Sequence, residues 1–260
     1  MKVATWNVNS IRVRYPLVLQ WLKSSSTDCL GMQEIKVEGE LYPYSVFKEA
    51  GYNCSVHGQK AYNGVAVCSK ETPEKVIKGW PDGENDERRV IISFFKEFTV
   101  VNVYVPRGGE RGTERHAYKI YFLTKLKVFL TENFSSSDPL IVLGDFNVAR
   151  SELDVYDPAV WKGRPGFMDD EREALEELLS FGLYDLFREK NPEVQKFTWF
   201  DIETGAFSKH RGLRIDYIFV TEPLLKACVE CDIDYEARKR KGNLLPSDHA
   251  PVYAVFKLQG

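Results

Sequence analysis

The sequence lacks long hydrophobic segments. No stretch of its 260 residues approaches the roughly 20 consecutive apolar residues that a membrane-spanning helix needs. The N-terminus has no extended apolar run typical of a signal peptide and predicts a strand instead, so we expect a cytoplasmic protein. Hydrophobic residues make up 43% of the chain and charged residues 28%, which is typical of a soluble globular fold with a sizeable core.

Cysteine is scarce. Five cysteines, an odd number in a large chain, argue against a disulfide scaffold. Cys228 and Cys231 form a CxxC pair, but no second pair of Cys or His residues at zinc-ligand spacing accompanies it. We therefore interpret both as small buried residues rather than as part of a structural zinc site.

The sequence also has no excess of positive charge. The net charge is −3, which does not by itself indicate a nucleic-acid-binding protein. Phosphate contacts depend on where the cations lie rather than on their sum, and acidic active-site residues lower the total. Composition leaves this question open.

Linkers, low-complexity tracts and short repeats are absent, so we expect a single domain over residues 1–260. Short runs rich in Val, Ile, Tyr and Phe, punctuated by Gly, Pro, Asn and Asp, predict strands. These runs are residues 3–6, 29–32, 52–56, 64–68, 90–95, 99–105, 140–143, 213–220 and 251–257.

Helices are fewer. One is predicted to begin at Pro16 and run through Leu22, since proline is tolerated in a first turn. A second covers residues 114–133, and a third starts near Asp170, with Glu173 completing a capping box, and stops at Gly182. Many strands with a few covering helices predict an α/β sandwich, in which two stacked sheets have helices outside.

Polar residues recur where the predicted strands end. They are Asn7, Glu34, Asp145, Asn147, Asp216, Asp248 and His249. A single Asp or Asn at such a place usually belongs to a turn. Here carboxylates, amides and an imidazole recur at the ends of separate strands, which can converge at one rim of a sandwich. Such a cluster suits phosphoryl transfer, which needs oxygen ligands for a hard cation, a base for water and donors for phosphate.

At this point a resemblance becomes specific. In order along the chain, the segments TWNVN (5–9), MQEIK (32–36), NVYVP (102–106), GDFN (144–147) and PSDHAP (246–251) resemble the motifs of the exonuclease III/AP endonuclease family. That family belongs to the endonuclease/exonuclease/phosphatase superfamily. The segments HGQK (57–60) and RGLRID (211–216) are more similar to its bacterial exonuclease III branch.

The resemblance implies a fold and an activity. The fold is a DNase I-like, four-layer α/β sandwich with two stacked mixed β-sheets flanked by helices. The activity is that of a Mg²⁺-dependent DNA repair nuclease, with Mn²⁺ as a substitute. It hydrolyses the phosphodiester 5′ to abasic sites in double-stranded DNA and leaves a 3′-OH, with 3′→5′ exonuclease and 3′-phosphatase/phosphodiesterase activity.

The resemblance also implies roles for single residues. Glu34 is the main metal anchor, and the other expected metal ligands are Asn7, Asp145, Asn147, Asp248 and His249. Asp145 orients or deprotonates the attacking water, or protonates the leaving group. Asn147 holds the water or a phosphoryl oxygen, His249 contacts the scissile phosphate, and Tyr104 donates its hydroxyl to a phosphate oxygen. Asp216 fixes the tautomer of His249.

The resemblance implies substrate contacts as well. Trp199, Phe200 and Leu213 match the apolar pocket that in the family receives a flipped baseless sugar. The expected phosphate contacts are Arg12, Arg14, Lys60, Arg107, Arg111 and Arg214. Arg107 departs from the family pattern, which often has an amide residue there, and this puts the balance between abasic-site cleavage and exonuclease activity in doubt.

Two other interpretations stay open. One is a phosphohydrolase of the same superfamily that acts on an inositol phosphate, a sphingolipid or RNA. The other is a catalytically inactive DNA-binding module. A monomer is the default expectation for the oligomeric state.

Overall fold

Two six-stranded sheets form the centre of the molecule. The structure is a computed structural model and describes residues 1–257. The strands are β1 Lys2–Asn7, β2 Cys29–Gln33, β3 Asn53–His57, β4 Val65–Ser69, β5 Lys75–Lys78, β6 Val90–Phe94, β7 Thr99–Tyr104, β8 Leu140–Asp145, β9 Tyr184–Asp185, β10 Trp199–Phe200, β11 Gly212–Leu213, β12 Asp216–Val220, β13 Cys228–Ile233 and β14 Val252–Phe256. The first sheet has the order β13-β14-β1-β2-β4-β3 and the second β5-β6-β7-β8-β12-β9, while β10 and β11 form a separate pair.

Helices flank the two sheets, some on the outer faces and some against the apolar layer between the sheets. They are α1 Ile11–Ser25, α2 Tyr44–Glu49, α3 Glu114–Asn133, α4 Pro158–Trp161, α5 Asp169–Leu179, α6 Leu186–Lys190 and α7 Glu222–Ala227, with short 3-10 turns at Gly39–Leu41, Glu152–Asp154 and Tyr235–Arg238. Apolar residues of α1 and α2 pack on the first sheet, and those of α3 and α5 pack on the second. Among residues 1–257, no helix is long and apolar enough to cross a bilayer.

Both sheets are mixed, because β1–β2 and β7–β8 are parallel pairs whereas their other neighbours run antiparallel. A third apolar cluster fills the space between the sheets, with Val3, Val67, Ile141, Leu143 and Val252 among its members. The predicted α/β sandwich of two stacked sheets flanked by helices is therefore confirmed.

A buried polar network also joins the two sheets. Asn102 on β7 donates from Nδ2 to the carbonyls of Met32 and Ala66 in the first sheet. Its Oδ1 accepts from Gln33 Nε2 at 2.7 Å. Gly31 allows this close approach, since a Cβ there would lie 2.3 Å from Leu143 Cδ1. Because these bonds have defined geometry, they fix how one sheet sits on the other.

Some local predictions were wrong. Helix α1 begins at Ile11 rather than at Pro16, because Ser10 and Ile11 are held by backbone bonds to Glu34 and Ile35 and the helix starts where that pairing ends. Glu173 is exposed and does not cap α5. Its expected role falls to Glu171, whose Oε2 accepts from the backbone N–H of Met168.

Two of the cysteines form a disulfide, and the other three are free. Cys54 and Cys68 occupy paired positions on β3 and β4 and form a disulfide, which the sequence did not predict. Cys228 and Cys231 are free and buried in β13.

Candidate active site

The active-site candidates converge at one rim of the sandwich, where both sheets contribute. Asn7 is the last residue of β1 and Glu34 directly follows β2. Asp145 ends β8 and lies directly opposite Asp216, the first residue of β12. His249 lies in the segment that leads into β14, beside β1. The fold thus brings together five of the residues that the sequence predicted.

Asn7 links the two sheets at this rim. Its side chain is fully buried, and Nδ2 donates to Glu34 Oε1 and to Asp145 Oδ2, both at 2.8 Å. One amide therefore holds the carboxylates of β2 and β8 next to each other. These two bonds offset part of the repulsion between the neighbouring carboxylates.

The same carboxylates form a candidate metal centre. Ligand atoms of Glu34, Asp145 and His249 all lie within 4.8 Å of one another. Carboxylate oxygens are the ligands that hard divalent cations prefer, so the donor chemistry fits a metal ion. Lys36 Nζ approaches Glu34 Oε2 at 2.8 Å and neutralises part of the negative charge. Asn147 and Asp248 line the same cavity, but Asp248 is not a member of the group of three.

His249 is oriented by Asp216. The distance from His249 Nδ1 to Asp216 Oδ2 is 2.8 Å, and both side chains are buried. Burial by itself lowers the pKa of His249, but the attraction of Asp216, followed by that of Asp248, outweighs it and raises the pKa to about 10. Its Nε2 lies 3.9 Å from Asp145 Oδ2, on the side of the ring away from Asp216.

Asp145 and Tyr104 also have perturbed acidities. Burial and the charge of Asp216 raise the pKa of Asp145 to about 8, against the attraction of His249. Burial, and then the charges of Glu34 and Asp145, raise the pKa of Tyr104 far above its ordinary value, so its hydroxyl stays protonated and can donate. Such perturbed groups in a cleft are typical of catalytic sites.

The backbone at the rim is unusual. Asn9, Glu34 and Asn147 have φ angles of 43°, 50° and 52°, in the left-handed region that non-glycine residues rarely adopt. Each such residue costs of order 1–3 kcal/mol, which the surrounding structure must offset. The Asn147 conformation is held by bonds from its N–H to Asp145 Oδ1 and from its Nδ2 to the Val105 carbonyl.

A cavity of about 280 Å³ opens next to these groups. Its polar lining includes Glu34, Tyr104, Asp145, Asn147 and His249. Its apolar lining consists of Trp161, Pro165, Trp199, Leu213 and Ile215. Polar chemistry and an apolar wall thus share one cavity.

Trp199 and Leu213 occupy this wall as predicted, but Phe200 does not. Phe200 is fully buried on the opposite face of β10, where it packs with Phe197 and Ala206. Successive side chains of a strand point to opposite faces, so only one of two neighbours can reach the cavity. The assignment of Phe200 to the pocket was therefore wrong.

Asp248 connects the apolar wall to the catalytic rim. Its Oδ2 accepts from Trp199 Nε1 at 3.1 Å, and its Oδ1 accepts from Asn9 Nδ2 at 2.9 Å. Asn9 in turn accepts from Lys36 Nζ at 2.7 Å. The sequence included Asn9 in a motif but gave it no role.

Trp161 was missed as well. It ends the four-residue helix α4 and meets the Trp199 ring edge-on, with centroids 6.4 Å apart. No periodicity marks so short a helix, so the sequence carries no signal that would bring Trp161 to the cavity.

The predicted phosphate contacts have different environments. Arg12, Lys60 and Arg107 are exposed, and Arg107 lines the cavity. Arg111 is exposed and pairs with Asp170 at 3.2 Å. Arg14 is half-buried and donates to the Asn9 carbonyl.

Arg214 is a correction. It is 1% exposed, and its guanidinium is paired with Asp185 and Asp154. It contacts no solvent-facing surface that a DNA phosphate can reach, so the expectation of a DNA contact was wrong. Its role is to hold together the segments that carry these two carboxylates.

Comparison with known proteins identifies the family of this two-sheet sandwich. The chain belongs to the endonuclease/exonuclease/phosphatase family, whose sequence profile matches residues 4–249. It is 36% identical to exodeoxyribonuclease III of Haemophilus influenzae, and the alignment covers 99% of this chain and all of the relative.

Solved structures agree with this assignment. An AP endonuclease from Archaeoglobus fulgidus superposes with a TM-score of 0.95 at 37% identity, covering 99% of this chain and all of that one. A Neisseria 3′ phosphatase, NExo, solved with a product DNA hairpin, superposes with a TM-score of 0.93 at 35% identity and the same coverage. The resemblance to the exonuclease III/AP endonuclease family and the DNase I-like fold are thereby confirmed.

Proposed function

We propose that the chain is a metal-dependent DNA repair nuclease that hydrolyses the phosphodiester 5′ to an abasic site in duplex DNA and leaves a 3′-OH. We assign 3′→5′ exonuclease and 3′-phosphatase/phosphodiesterase activity to the same site. One observation carries the proposal. The Glu34, Asp145 and His249 cluster and the apolar wall of Trp161, Trp199 and Leu213 belong to one cavity, so a sugar in the apolar part has its phosphate at the cluster.

The metal is Mg²⁺ in this proposal, with Mn²⁺ as a substitute. Glu34 would anchor it and Asp145 would lie within reach, with Asn7, Asn147 and Asp248 completing the surroundings. His249 belongs to the same group and could bind the ion only while its Nε2 does not donate to the phosphate. When bound, the ion supplies positive charge that neutralises the charge developing on the phosphoryl oxygens.

The side chains of the chain itself position the other reactants. In its ionised form Asp145 orients the attacking water or accepts its proton, and in its protonated form it can give a proton to O3′ as the P–O3′ bond breaks. Its neighbour Asn147 holds the water or a phosphoryl oxygen. His249 donates from Nε2 to a non-bridging phosphate oxygen, because its Nδ1 is bonded to Asp216. The Tyr104 hydroxyl, kept protonated by its surroundings, donates to a second phosphate oxygen. Such preorganised donors are commonly worth about 10²–10³ in turnover each.

The apolar wall supports abasic DNA as the substrate. An abasic nucleotide has no base to unstack or unpair, so turning it out of the helix costs less than flipping an intact one. Trp199 and Leu213 offer such a sugar an apolar surface, and Arg107 at the edge of the cavity offers the neighbouring phosphate a cation. All of these groups come from one chain, which supports a monomer as the active form. A nuclease that repairs DNA works where that DNA lies, which supports a cytoplasmic location.

The decisive experiment is a nicking assay on a duplex that carries one abasic analogue, run with Mg²⁺ and with EDTA. The intact duplex and an inositol phosphate serve as competing substrates. We expect Mg²⁺-dependent nicking 5′ to the analogue, with a 3′-OH terminus. Preferred hydrolysis of the inositol phosphate would favour another phosphohydrolase of the family, and binding without nicking would favour an inactive DNA-binding module.

Asp145→Asn provides the matched variant for this assay. We expect it to lose about 10²–10³ in kcat, because it removes the acceptor for the water proton. Asp138→Asn is the control, since Asp138 is exposed just before the opposite end of β8 and the substitution is chemically identical. Wild-type activity in Asp145→Asn would contradict the assignment.

A further inference from the structure

A buried ion pair lies directly behind the cavity. Lys119 on α3 and Glu171 on α5 are both fully buried, and Lys119 Nζ lies 2.6 Å from Glu171 Oε1. Taking two charges out of water is expensive, and apolar residues of similar volume are often at least as stable. The pair therefore calls for an explanation beyond its mutual attraction.

The ammonium group of Lys119 binds two loops of the cavity. Besides Glu171, it donates to the carbonyl of Asn147 at 2.7 Å and to the carbonyl of Arg107 at 3.3 Å. Its three N–H groups thus have three acceptors. Asn147 follows β8 and Arg107 follows β7, and both line the cavity. One side chain that does not touch the cavity holds the backbone of two residues that do.

Glu171 binds the third loop. Its Oε2 accepts from the backbone N–H of Gly166 at 2.7 Å and from that of Met168 at 3.3 Å. Gly166 lines the cavity beside Pro165 and has a φ of 93°, which an L-residue rarely adopts. The backbone N–H of Ala149 also donates to the Gly166 carbonyl at 2.7 Å, so the loop at Gly166 and the loop at Asn147 are joined directly.

We propose that Lys119 and Glu171 form a positioning pair that sets the distance between the catalytic side of the cavity at Asn147 and its substrate-binding sides at Arg107 and Gly166. The inference rests on the proposed nuclease function. These loops have few regular backbone partners, so the pair supplies the donors and acceptors that strands supply elsewhere. A displacement of about 1 Å at a reacting group can cost about 10²-fold in rate.

Two variants separate positioning from stability. Lys119→Met removes the donor and leaves the Glu171 carboxylate buried without its ammonium, so we expect it to lose both stability and kcat. Lys119→Met/Glu171→Leu removes both charges. We expect its free energy of unfolding to exceed that of Lys119→Met, because no unpaired charge stays buried, while kcat on the abasic duplex stays about 10- to 100-fold lower. A double variant with recovered stability and wild-type kcat would overturn the proposal.

Leu224→Ala is the control for stability alone. Leu224 is buried between the sheets and lies in α7, outside the cavity lining, so its loss destabilises the fold without touching the site. We expect kcat to be unchanged in this variant under conditions where it is folded. A matching fall in kcat would show that reduced stability alone explains the effect, which also overturns the proposal.

Amide hydrogen exchange gives a readout that does not need activity. We expect the amides of Gly166 and Met168 to exchange faster in the double variant, because they lose the Glu171 acceptor, whereas the amides of β8 stay protected. Failure of the wild-type protein to nick abasic DNA would refute the proposed function. The exchange rates of the Gly166 and Met168 amides would then be the test of the positioning role. Unchanged exchange at both amides would then refute it.

Discussion

The position of Arg214 allows a sharp test, because sequence and structure assign it different roles. Its Nη1 and Nη2 donate to the two oxygens of Asp185 at 2.9 and 2.7 Å, and its Nε donates to Asp154 at 2.6 Å. Arg214→Met leaves two buried carboxylates without this partner, although Asp154 keeps Arg188 at 2.7 Å. Breaking a buried pair by removing one partner costs about 3–5 kcal/mol. That is a large part of the roughly 5–15 kcal/mol that stabilises a typical domain.

Two measurements decide between the roles. Urea unfolding followed by circular dichroism gives the stability, and duplex binding at several salt concentrations gives the number of phosphate contacts. We expect Arg214→Met to lose about 3–5 kcal/mol of stability and, where it is folded, to keep the wild-type salt dependence. Each lost phosphate contact lowers the slope of log K against log salt by about 0.9. Wild-type stability together with a slope reduced by about one would refute the structural role.

Arg107→Met is the matched comparison. Arg107 is exposed at the cavity, so we expect the opposite pair of results: unchanged stability and a salt slope reduced by about 0.9.

Three further predictions use the same fold. Burial alone raises the pKa of Asp154, but the charge of Arg214 holds this pKa below its ordinary 3.8. The ionised Asp154 therefore stabilises the fold in full above pH 3.8, and we expect Asp154→Asn to lose this stabilisation there. The difference in free energy of unfolding between wild type and Asp154→Asn shrinks as the pH falls below this value, and urea unfolding at pH 7 and pH 3 measures it. We expect Leu213→Ala to relax the preference for abasic over intact duplex in competition cleavage, whereas Phe200→Ala lowers stability by about 3–5 kcal/mol and keeps that preference. Asn102→Leu removes a donor to the Met32 and Ala66 carbonyls and an acceptor of Gln33 Nε2, and we expect a loss of about 1–3 kcal/mol, measured by urea unfolding.

The central strands were predictable, whereas of the four edge strands only β3 was predicted. Strands such as β2, β4 and β8 are buried on both faces, so their sequences are nearly continuous apolar runs. The missed strands β5 and β13 lie at the edges of their sheets. Lysines flank the first, and Glu230 and Asp232 interrupt the second, as is typical of exposed edges. Their assignment depends on a neighbouring strand that is distant in sequence.

The candidate site shows the same division. Glu34, Asp145 and His249 were predicted because each follows or ends a segment with a distinct motif. Arg214 was misjudged because its acidic partners lie 60 and 29 residues away, and nothing local distinguishes a buried arginine from an exposed one. The roles of Lys119 and Glu171 could not be found, since they depend on the packing of α3 against α5.

The pairing of β1 with β14 has a consequence for biosynthesis. Asn7 lies at the start of the chain, while Ser247, whose hydroxyl donates to the Asn7 carbonyl at 2.6 Å, precedes the last strand. During translation the first carboxylates leave the ribosome long before the histidine that shares their cluster. A nascent chain therefore has no complete cleavage centre, and a product truncated before Val252 loses the strand that anchors His249. A chain that ends before residue 249 lacks one member of the Glu34, Asp145 and His249 cluster.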